Sequence, residues 1–252
     1  MKRRDFLKVL GGSVLALNAA SSGSAGSGLG RMSAGPKARK AERWAMVVDM
    51  AKCRDDCPKV CISACHSAHN VPYIPNASDE VKWLFEKPYE NAFPDTPRDI
   101  VPEHFLRQEF LLLCNHCDDP PCVRACPTQA TFKRQDGIVM MDYHRCIGCR
   151  FCIAACPYGA RSFNFRDPRP FIKNLNPDFP TRSKGVVEKC SFCQERLVVG
   201  LLPACVEACK ARVLIFGDLH DPDSEVYKIL MKSNHVRRKP ALGTYPSVFY
   251  LV

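Results

Sequence analysis

The stretch from Cys114 to Cys156 restricts the possible folds more than any other part of this sequence. It contains two cysteine runs, CNHCDDPPCVRACP and CIGCRFCIAACP, separated by a short connector. The second run has the spacing C-x2-C-x2-C-x3-C-P, and the first adds two residues between its second and third cysteines. Three cysteines in a tight loop can present their thiolates to one [4Fe–4S] cluster, and the fourth, before proline, serves a neighbouring cluster. The spacing therefore predicts two interlocked clusters.

The 16 cysteines of the chain form four groups of four, and none is left over. The groups are Cys53, Cys57, Cys61 and Cys65; Cys114, Cys117, Cys122 and Cys126; Cys146, Cys149, Cys152 and Cys156; and Cys190, Cys193, Cys205 and Cys209. The fourth group has a long loop between its second and third cysteines, which a cluster tolerates because lengthening a loop costs little free energy. Four [4Fe–4S] clusters are the predicted cofactors.

The first group differs from the others because its four cysteines are evenly spaced, as C-x3-C-x3-C-x3-C. This spacing also places side chains on one face of a helix, where they would form a stripe facing a core. Pro58 and the charged residues 54–56 disfavour a regular helix there, and the fourth group needs a partner. We therefore predict a cluster here too, with a three-iron cluster or one altered ligand left open.

Three other uses of cysteine fit this sequence less well. Disulfide frameworks belong to shorter secreted chains, and the crowded C-x2-C-x2-C spacing gives poor disulfide geometry. Structural zinc sites close with pairs of C-x2-C and lack the terminal Cys-Pro. Covalent haem attachment needs C-x2-C-H, and the segment from Cys61 to His66 has one residue too many. A zinc-stabilised binding module stays as the alternative from another class of protein.

The formal net charge is +10, which by itself favours nucleic acid as a partner. A cubane with four thiolates carries about −2, so four clusters bring the chain close to neutrality once a basic leader is removed. We therefore predict no nucleic-acid partner.

No nucleophile–base pair, glycine-rich phosphate loop or carboxylate pair in the sequence indicates an enzyme that acts alone.

The N-terminus reads MKRRDFLKVLGGSVLALNAASSGSAG, in which Arg3 and Arg4 precede a mildly apolar stretch. This order is typical of a twin-arginine export signal, and the stretch is too short for a membrane span. An ordinary basic amphipathic N-terminus is the alternative. We predict a signal over residues 1–25, a flexible basic linker over residues 26–43, and a periplasmic or extracytoplasmic location.

A repeated order of elements surrounds the cysteine groups. Apolar runs that predict strands precede the groups at residues 44–49, 138–142 and 185–188, and follow them at residues 130–132, 161–165 and 213–216. The pair Asp136-Gly137 predicts a hairpin turn. The predicted fold class is α+β, with tandem ferredoxin-like βαβ units over residues 44–240, long irregular insertions and an extended C-terminal tail.

Two insertions and the tail contain no cysteine. Residues 71–110 predict a long connection that packs over the cluster core or a partner, and residues 166–184 predict a second irregular insertion. The aromatic residues of the first insertion are Trp83, Phe85, Tyr89 and Phe93. The tail, residues 241–252, is apolar and too short to cross a bilayer. The tail and the aromatic insertion are predicted to dock a partner.

With its four cysteine groups, the chain resembles the four-cluster ferredoxin subunits of membrane-associated oxidoreductases. That family includes NrfC and the electron-transfer subunits of dimethyl-sulfoxide reductase and formate dehydrogenase. The segments that carry the resemblance are CNHCDDPPCVRACP, CIGCRFCIAACPYGAR and PALGTYPSVFYL. The twin-arginine start and CHSAHNVP at residues 65–72 are most similar to the DsrO-type subunits of DsrMKJOP complexes.

The resemblance implies that the second group pairs with the third, and the first with the fourth. One cluster would be held by Cys114, Cys117, Cys122 and Cys156, and its neighbour by Cys146, Cys149, Cys152 and Cys126. Another would be held by Cys53, Cys57, Cys61 and Cys209, and the last by Cys190, Cys193, Cys205 and Cys65.

The resemblance also implies partners: a quinone-reactive integral membrane subunit of the NrfD type, and a multihaem cytochrome or other redox subunits. Membrane association would occur through these partners only. The chain would carry single electrons in a sulfur-metabolism complex. The alternative is that it is the electron-transfer subunit of a molybdopterin oxidoreductase or hydrogenase. Adjacency to cysteines makes His66, Arg145 and Lys210 candidates for tuning the clusters, because nearby charges and hydrogen bonds shift reduction potentials.

Overall fold

The computed structural model describes residues 36–53, 60–95 and 103–251, apart from the side chain of His104, and has a mixed α/β structure. The strands are β1 Trp44–Val48, β2 Leu84–Pro88, β3 Glu109–Leu113, β4 Thr131–Lys133, β5 Val139–Met141, β6 Ser162–Phe163, β7 Val187–Glu188, β8 Leu214–Asp218, β9 His235–Val236 and β10 Val248–Leu251. The helices are α1 Val60–Ala68, α2 Tyr89–Ala92, α3 Glu103–Leu106, α4 Pro121–Arg124, α5 Phe151–Ala154, α6 Gln194–Val198, α7 Ala204–Ala208 and α8 Glu225–Lys232. None of these helices is long and apolar enough to span a membrane. The predicted export signal with Arg3 and Arg4, and also Cys57, lie outside the described residues.

The strands pair in a cycle that follows the cysteine groups. The strand after each group is antiparallel to the strand before the next group: β2 pairs with β3, β4 with β5, and β6 with β7. β8 follows the fourth group and pairs antiparallel with β1, which precedes the first group. Each group of cysteines therefore lies between two strands that belong to different pairs.

β1 lies inside the largest sheet, whose strand order is β8-β1-β10-β9. All five of its residues are buried, because a strand with neighbours on both edges and apolar packing on both faces has no side open to water. Alternate side chains face opposite sides of the sheet. Met46 and Val48 belong to the main core, whereas Ala45 and Val47 pack in a smaller core that α8 covers.

The strands predicted beside the second, third and fourth groups are confirmed, although β6 and β7 are only two residues long. β4 and β5 form the predicted hairpin. Gly137 at its turn has a φ of +80°, a left-handed value that glycine adopts without steric cost. The strand before the first group is β1, which begins at the predicted Trp44.

The same backbone turn recurs in three cysteine groups. The residue before the second cysteine is left-handed in each: φ is 41° at His116, 70° at Gly148 and 52° at Phe192. A left-handed residue in a short loop directs successive N–H groups towards one side, as in anion-binding nests. The rings of His116 and Phe192 also stack, with centroids 3.7 Å apart. The repetition in cysteine spacing is therefore accompanied by a repetition in the backbone.

The described part of the first insertion belongs to the core. β2 pairs with β3 along its whole length, and the aromatic side chains predicted to dock a partner are buried: Trp83, Phe85, Tyr89 and Phe93. Phe93 contacts Tyr250 with ring centroids 5.1 Å apart. These four side chains fill the protein interior, so they are not available to a partner.

The C-terminal tail is also part of the core. β10 pairs in parallel with β1, and Phe249 and Tyr250 are each only 1% exposed. The Tyr250 hydroxyl donates a hydrogen bond to the carbonyl oxygen of Leu111 at 2.9 Å. The apolar character of the tail thus reflects a buried strand, and the predicted docking role does not hold for these side chains.

The described part of the predicted linker is held against the rest of the fold. The Arg39 N–H donates to the carbonyl of Leu197 at 2.9 Å, and its guanidinium donates to the carbonyl of Gly200 at 2.9 Å. The Arg43 N–H donates to the carboxylate of Asp218 at 3.1 Å. Residues 39–43 therefore pack against the domain instead of forming a flexible linker.

A buried ion pair anchors the second insertion. Arg182 and Glu188 are 1% and 0% exposed at their side chains, with nitrogen and oxygen 2.7 Å apart. The Trp83 indole N–H and the Asn164 amide donate to the same carboxylate, at 2.9 and 2.5 Å. The Arg182 guanidinium lies 5.4 Å from the centre of the Trp83 ring. This shared carboxylate joins both insertions to the strand before the fourth group, and each of its donors offsets part of its desolvation.

Replacement of Gly148 by alanine should destabilise the third group. A Cβ there would lie 2.4 Å from the carbonyl oxygen of Gly185, so the backbone must move, and a left-handed alanine costs about 1–2 kcal/mol in addition. Gly159→Ala is the matched control, because Gly159 is also left-handed and its Cβ would meet nothing within 4 Å. Thermal unfolding should show a larger drop in Tm for Gly148→Ala, and equal Tm values would contradict the steric argument.

Candidate metal centres

The described cysteines form no disulfide with one another, and most of them are buried. The partly exposed ones are Cys53, Cys126, Cys146 and Cys156, and Cys149 is exposed. No disulfide framework exists among these described cysteines. The thiols are instead brought close to one another in the interior, where their ionisation is coupled.

The first and fourth groups meet where α1 packs against α7. α1 carries Cys61 and Cys65 one turn apart, and α7 carries Cys205. Burial raises the pKa of Cys61 to about 12, and the neighbouring charges of Cys209 and Cys53 act in the same direction. The last cysteine of the fourth group therefore lies beside cysteines of the first.

Cys65 has different neighbours from Cys61, although both lie on α1. Burial raises the pKa of Cys65 well above its ordinary value, and the charges of Cys205, Cys190 and Cys193 add to the effect. The last cysteine of the first group therefore lies beside the first three cysteines of the fourth group.

Thiols of the second and third groups also interact with one another. Burial raises the pKa of Cys117 to about 12, and Cys114, Cys122 and Cys156 contribute in the same direction. Cys156 is the last cysteine of the third group. It therefore lies near three cysteines of the second group, with which the resemblance pairs it.

Cys152 marks the reciprocal site. Burial raises its pKa, the Arg161 guanidinium lowers it, and the charges of Cys122, Cys146 and Cys126 raise it again. Cys126 closes the second group, yet it acts on cysteines of the third. Cys149 belongs to the same loop and is exposed to solvent.

These interactions are compatible with the pairing that the resemblance implies, and we use that pairing to divide the described thiols into four sets. Set A comprises Cys53, Cys61 and Cys209; set B comprises Cys65, Cys190, Cys193 and Cys205; set C comprises Cys114, Cys117, Cys122 and Cys156; set D comprises Cys126, Cys146 and Cys152. Interactions between neighbouring sets join Cys61 to Cys65, Cys190 to Cys114, and Cys122 to Cys152. The sets are therefore linked in one series, in the order A, B, C, D.

Backbone N–H groups point at three sulfurs of the fourth group. The donors are Phe192 to Cys190 at 3.4 Å, Ala204 to Cys193 at 3.4 Å, and Val213 to Cys209 at 3.3 Å. Hydrogen bonds of this kind favour the thiolate over the thiol. The backbone therefore favours the charged form that a metal ligand requires.

The donor set and two unpaired polar side chains fit iron–sulfur clusters. Asn115 and Ser191 directly follow the first cysteines of the second and fourth groups, and both are buried. The Asn115 amide atoms and the Ser191 hydroxyl have no hydrogen-bond partner among the described residues. Buried polar groups are nearly always paired, and cluster sulfurs accept hydrogen bonds. Converging thiolates also need a cationic centre between them, which iron supplies.

His69 lies beside set B. Its ring, Cys193 and Glu195 each offer one ligand atom within 4.8 Å of the others. The Nδ1–H group donates to the carbonyl oxygen of Cys65, with nitrogen and oxygen 2.7 Å apart, and Nε2 lies 2.9 Å from a carboxylate oxygen of Glu195. Both ring nitrogens are thus engaged, so we assign His69 to hydrogen bonding around set B.

Two buried cations near the thiols are not indicated by cysteine spacing. Arg161 is 5% exposed, and its guanidinium donates to Cys122 Sγ at 3.1 Å. Lys189 is 2% exposed, and its ammonium donates to the carbonyl oxygens of Val139 and Cys190. Lys189 directly precedes a cysteine, so adjacency could have identified it. Arg161 has no such signal.

The tuning candidates chosen by adjacency occupy less enclosed positions. Arg145 and Lys210 are exposed, and Arg145 lies 3.5 Å from a carboxylate oxygen of Asp142. Solvent and salt screen such charges. His66 is partly buried on α1, and burial lowers its pKa. The tuning roles of these three residues stay predictions.

Comparison with known proteins matches residues 108–168 and 175–219 to the model of the 4Fe-4S dicluster domain. The Hdr-like menaquinol oxidoreductase iron–sulfur subunit 1 of Archaeoglobus fulgidus is 42% identical over 233 residues, covering 84% of this chain and 84% of that protein. Protein NrfC of Escherichia coli K12 is 36% identical over 249 residues, covering 98% of this chain and 93% of NrfC. The chain belongs to the NrfC-like family of iron–sulfur subunits.

Membership of the NrfC-like family confirms the resemblance on which the sequence predictions depend. Family members are electron-transfer subunits of oxidoreductase complexes and not their catalytic subunits. The dicluster match shows that [4Fe–4S] clusters are the cofactors. A putative iron–sulfur subunit of dimethyl sulfoxide reductase from Halobacterium salinarum is also similar, at 48% identity over 138 residues, covering 55% of this chain and 53% of that protein.

The metal-free protein should lose stability as the pH rises above about 9. Folding raises the pKa of Cys61, Cys117 and Cys190 from 9.0 to about 12, chiefly by burial. Their contribution to stability is therefore complete below the unfolded pKa and is lost as the pH rises towards 12. Urea unfolding of the metal-free protein at pH 7, 9 and 10.5 should show a falling midpoint.

The cluster-loaded protein is the control for this pH dependence. Its ligands are thiolates at every pH where the clusters persist, so its urea midpoint should not fall between pH 7 and 10.5. Acid should instead release its iron, because protons compete with the metal for thiolates. An unchanged midpoint of the metal-free protein over this range would contradict the raised thiol pKa values.

Proposed function

We propose that this chain carries single electrons through four [4Fe–4S] clusters, one at each of sets A to D. In this proposal, Cys57 completes set A and Cys149 completes set D. Electrons pass between a quinone-reactive membrane subunit of the NrfD type and haem or catalytic subunits of a sulfur-metabolism complex of the DsrMKJOP type. The clusters supply the one-electron chemistry, and the chain binds, orders and insulates them.

The linked series of thiol sets is the observation that carries this proposal. In this proposal each set contains the last cysteine of another group, so each cluster is held by two separate stretches of sequence. Set B lies next to set A and to set C, and set C lies next to set D. A series of adjacent one-electron centres is a path for electrons, and a chain with isolated structural sites would not need this order.

The relatives support a membrane partner that reacts with a quinone. The Archaeoglobus fulgidus relative is named as a subunit of a menaquinol oxidoreductase, and this chain covers most of its length. The CHSAHNVP segment supports the DsrMKJOP type of complex, because it is the feature most similar to DsrO-type subunits. The partners are a membrane subunit of the NrfD type and a multihaem cytochrome or other redox subunit.

A molybdopterin oxidoreductase is the second candidate for the complex. The Halobacterium salinarum relative, which is named as a dimethyl sulfoxide reductase subunit, supports it over about half of the chain. Purification of the native complex and mass spectrometry of its subunits separates the two candidates. A molybdopterin-binding subunit in place of haem and NrfD-type subunits would overturn the sulfur-metabolism proposal.

We also propose export by the twin-arginine route to the periplasmic or extracytoplasmic face. Arg3 and Arg4 support this, because that route recognises paired arginines before a weakly apolar stretch. It also carries folded proteins, so clusters can be inserted in the cytoplasm. Replacement of both arginines by lysine should leave the protein in the cytoplasm with its iron, and unimpaired export would disprove the route.

The anaerobically purified chain should be brown and contain about 16 iron atoms, which is four for each cubane. Dithionite should produce EPR signals from several interacting clusters. Colourless protein loaded with zinc would end the electron-transfer proposal and restore the zinc-stabilised module. An iron content of about 15 would indicate a three-iron cluster, and set A is where we expect it.

Serine substitutions should reveal the exchange of cysteines between groups. Cys65→Ser should alter the same EPR signal as Cys193→Ser, because both belong to set B. Cys61→Ser should alter a different signal, together with Cys209→Ser, because both belong to set A. Cys61 and Cys65 are neighbours on α1, so each serves as the control for the other. A common signal for these two would show that each group holds its own cluster.

A further inference from the structure

Arg161 is a buried cation without a carboxylate partner among the described residues. It directly precedes β6 and is 5% exposed. Its guanidinium donates to the hydroxyl of Thr131 at 3.2 Å, to Met141 Sδ at 3.7 Å and to Cys122 Sγ at 3.1 Å. Burying a guanidinium carries a large desolvation cost unless a negative charge lies close to it. The thiolate of Cys122 is the charge within hydrogen-bond distance.

Arg182 shows what a buried arginine with a structural role looks like in this fold. Its guanidinium pairs with the Glu188 carboxylate at 2.7 Å, and neither side chain is exposed. Arg161 has thiols in the place that Glu188 takes for Arg182. The guanidinium of Arg161 is therefore directed at a redox site and not at a fixed anion.

The charge of Arg161 reaches two adjacent sets. Burial acts to lower the pKa of its guanidinium, but the thiolates of Cys122, Cys152 and Cys114 outweigh burial and raise it. Cys122 and Cys114 belong to set C, and Cys152 belongs to set D. The guanidinium therefore lies where the two sets meet, and its one short contact with sulfur is on the side of set C.

We propose that Arg161 is a positioning residue for electron transfer, which raises the reduction potential of the cluster at set C relative to the cluster at set D. The inference depends on the proposed function, since it assumes clusters at both sets. A cluster gains a negative charge when it is reduced, and a fixed cation in a medium of low dielectric constant stabilises that charge. The hydrogen bond to a ligand sulfur acts in the same direction.

The consequence is a preferred direction of electron transfer between the two neighbouring clusters. An electron that reaches set D from outside is drawn towards set C, because the cation lies closer to the sulfur of set C. Set D includes the loop of Cys149, the one exposed cysteine among the described residues. Arg161 thus favours residence of the electron on the enclosed side of this junction.

The test uses two substitutions of Arg161 in the full chain, purified anaerobically with its partners. Arg161→Gln removes the charge and keeps an amide that can donate a hydrogen bond. Arg161→Lys keeps the charge but places it on a single ammonium group, farther from the Cys122 sulfur. Arg169→Gln is the matched control, because Arg169 is exposed, is not adjacent to any cysteine in sequence, and pairs with the carboxylate of Asp167 at 2.8 Å.

Iron content and EPR-monitored redox titration are the two measurements. We expect full iron in each variant, one midpoint potential shifted downwards in Arg161→Gln, and a smaller downward shift of the same signal in Arg161→Lys. Arg169→Gln should leave every midpoint potential unchanged. Cys122→Ser should alter the signal that Arg161→Gln shifts, which assigns it to set C.

Two results would overturn the proposal. One is an Arg161→Gln variant that keeps all of its iron and has the same midpoint potentials as the wild type. If Arg161→Gln loses iron, the same result in a fully loaded Arg161→Lys variant would overturn the proposal. The other is loss of iron from both Arg161 variants, which would make the residue a counterion required for assembly. Failure of the proposed function is distinguishable, because the wild-type protein itself would then lack iron.

Discussion

Mutual repulsion among buried thiolates is the constraint on which the rest of this structure depends. The described thiols raise one another's pKa in addition to the effect of burial, so the fold without metal would keep them neutral. Iron changes the sign of that interaction by placing a cationic centre among the sulfurs. The chain contributes N–H donors and the two buried cations Arg161 and Lys189. The interior is therefore suited to the negative charge of thiolates bound to iron, which the thiols of the metal-free polypeptide do not carry.

The polar interior also explains how the long insertions are used. Cysteines occupy many core positions in this chain, so fewer positions remain for large apolar side chains that stabilise the fold. The first insertion contributes four aromatic side chains to that core: Trp83, Phe85, Tyr89 and Phe93. The second insertion is joined to it through Glu188, which accepts hydrogen bonds from two insertions at once. The segments that look irregular in sequence therefore pack into the same core as many of the cysteines.

Sequence reasoning reached the parts that local spacing determines and missed those that depend on distant contacts. The strands around each cysteine group, the hairpin at Asp136-Gly137 and the grouping of cysteines follow from patterns of a few residues. A short apolar run such as residues 248–251 has the same sequence pattern in a central strand as in a docking tail. Only its pairing with β1 shows that it is a central strand. In the sequence, Arg161 resembles an exposed residue beside a strand. Its proposed role depends on its contact with the sulfur of Cys122, which lies 39 residues earlier in the chain.

The cyclic pairing of strands has a consequence for synthesis of the protein. β1 is among the first structured segments to leave the ribosome, but its partners β8 and β10 lie near the other end of the described chain. Sets C and D use cysteines between positions 114 and 156, so they can assemble while translation continues. Set A needs Cys209 beside Cys53, and its sheet needs β10. With the proposed pairing, the first group therefore receives its iron only after most of the chain has been made, and a truncated chain would leave its cysteines open to oxidation.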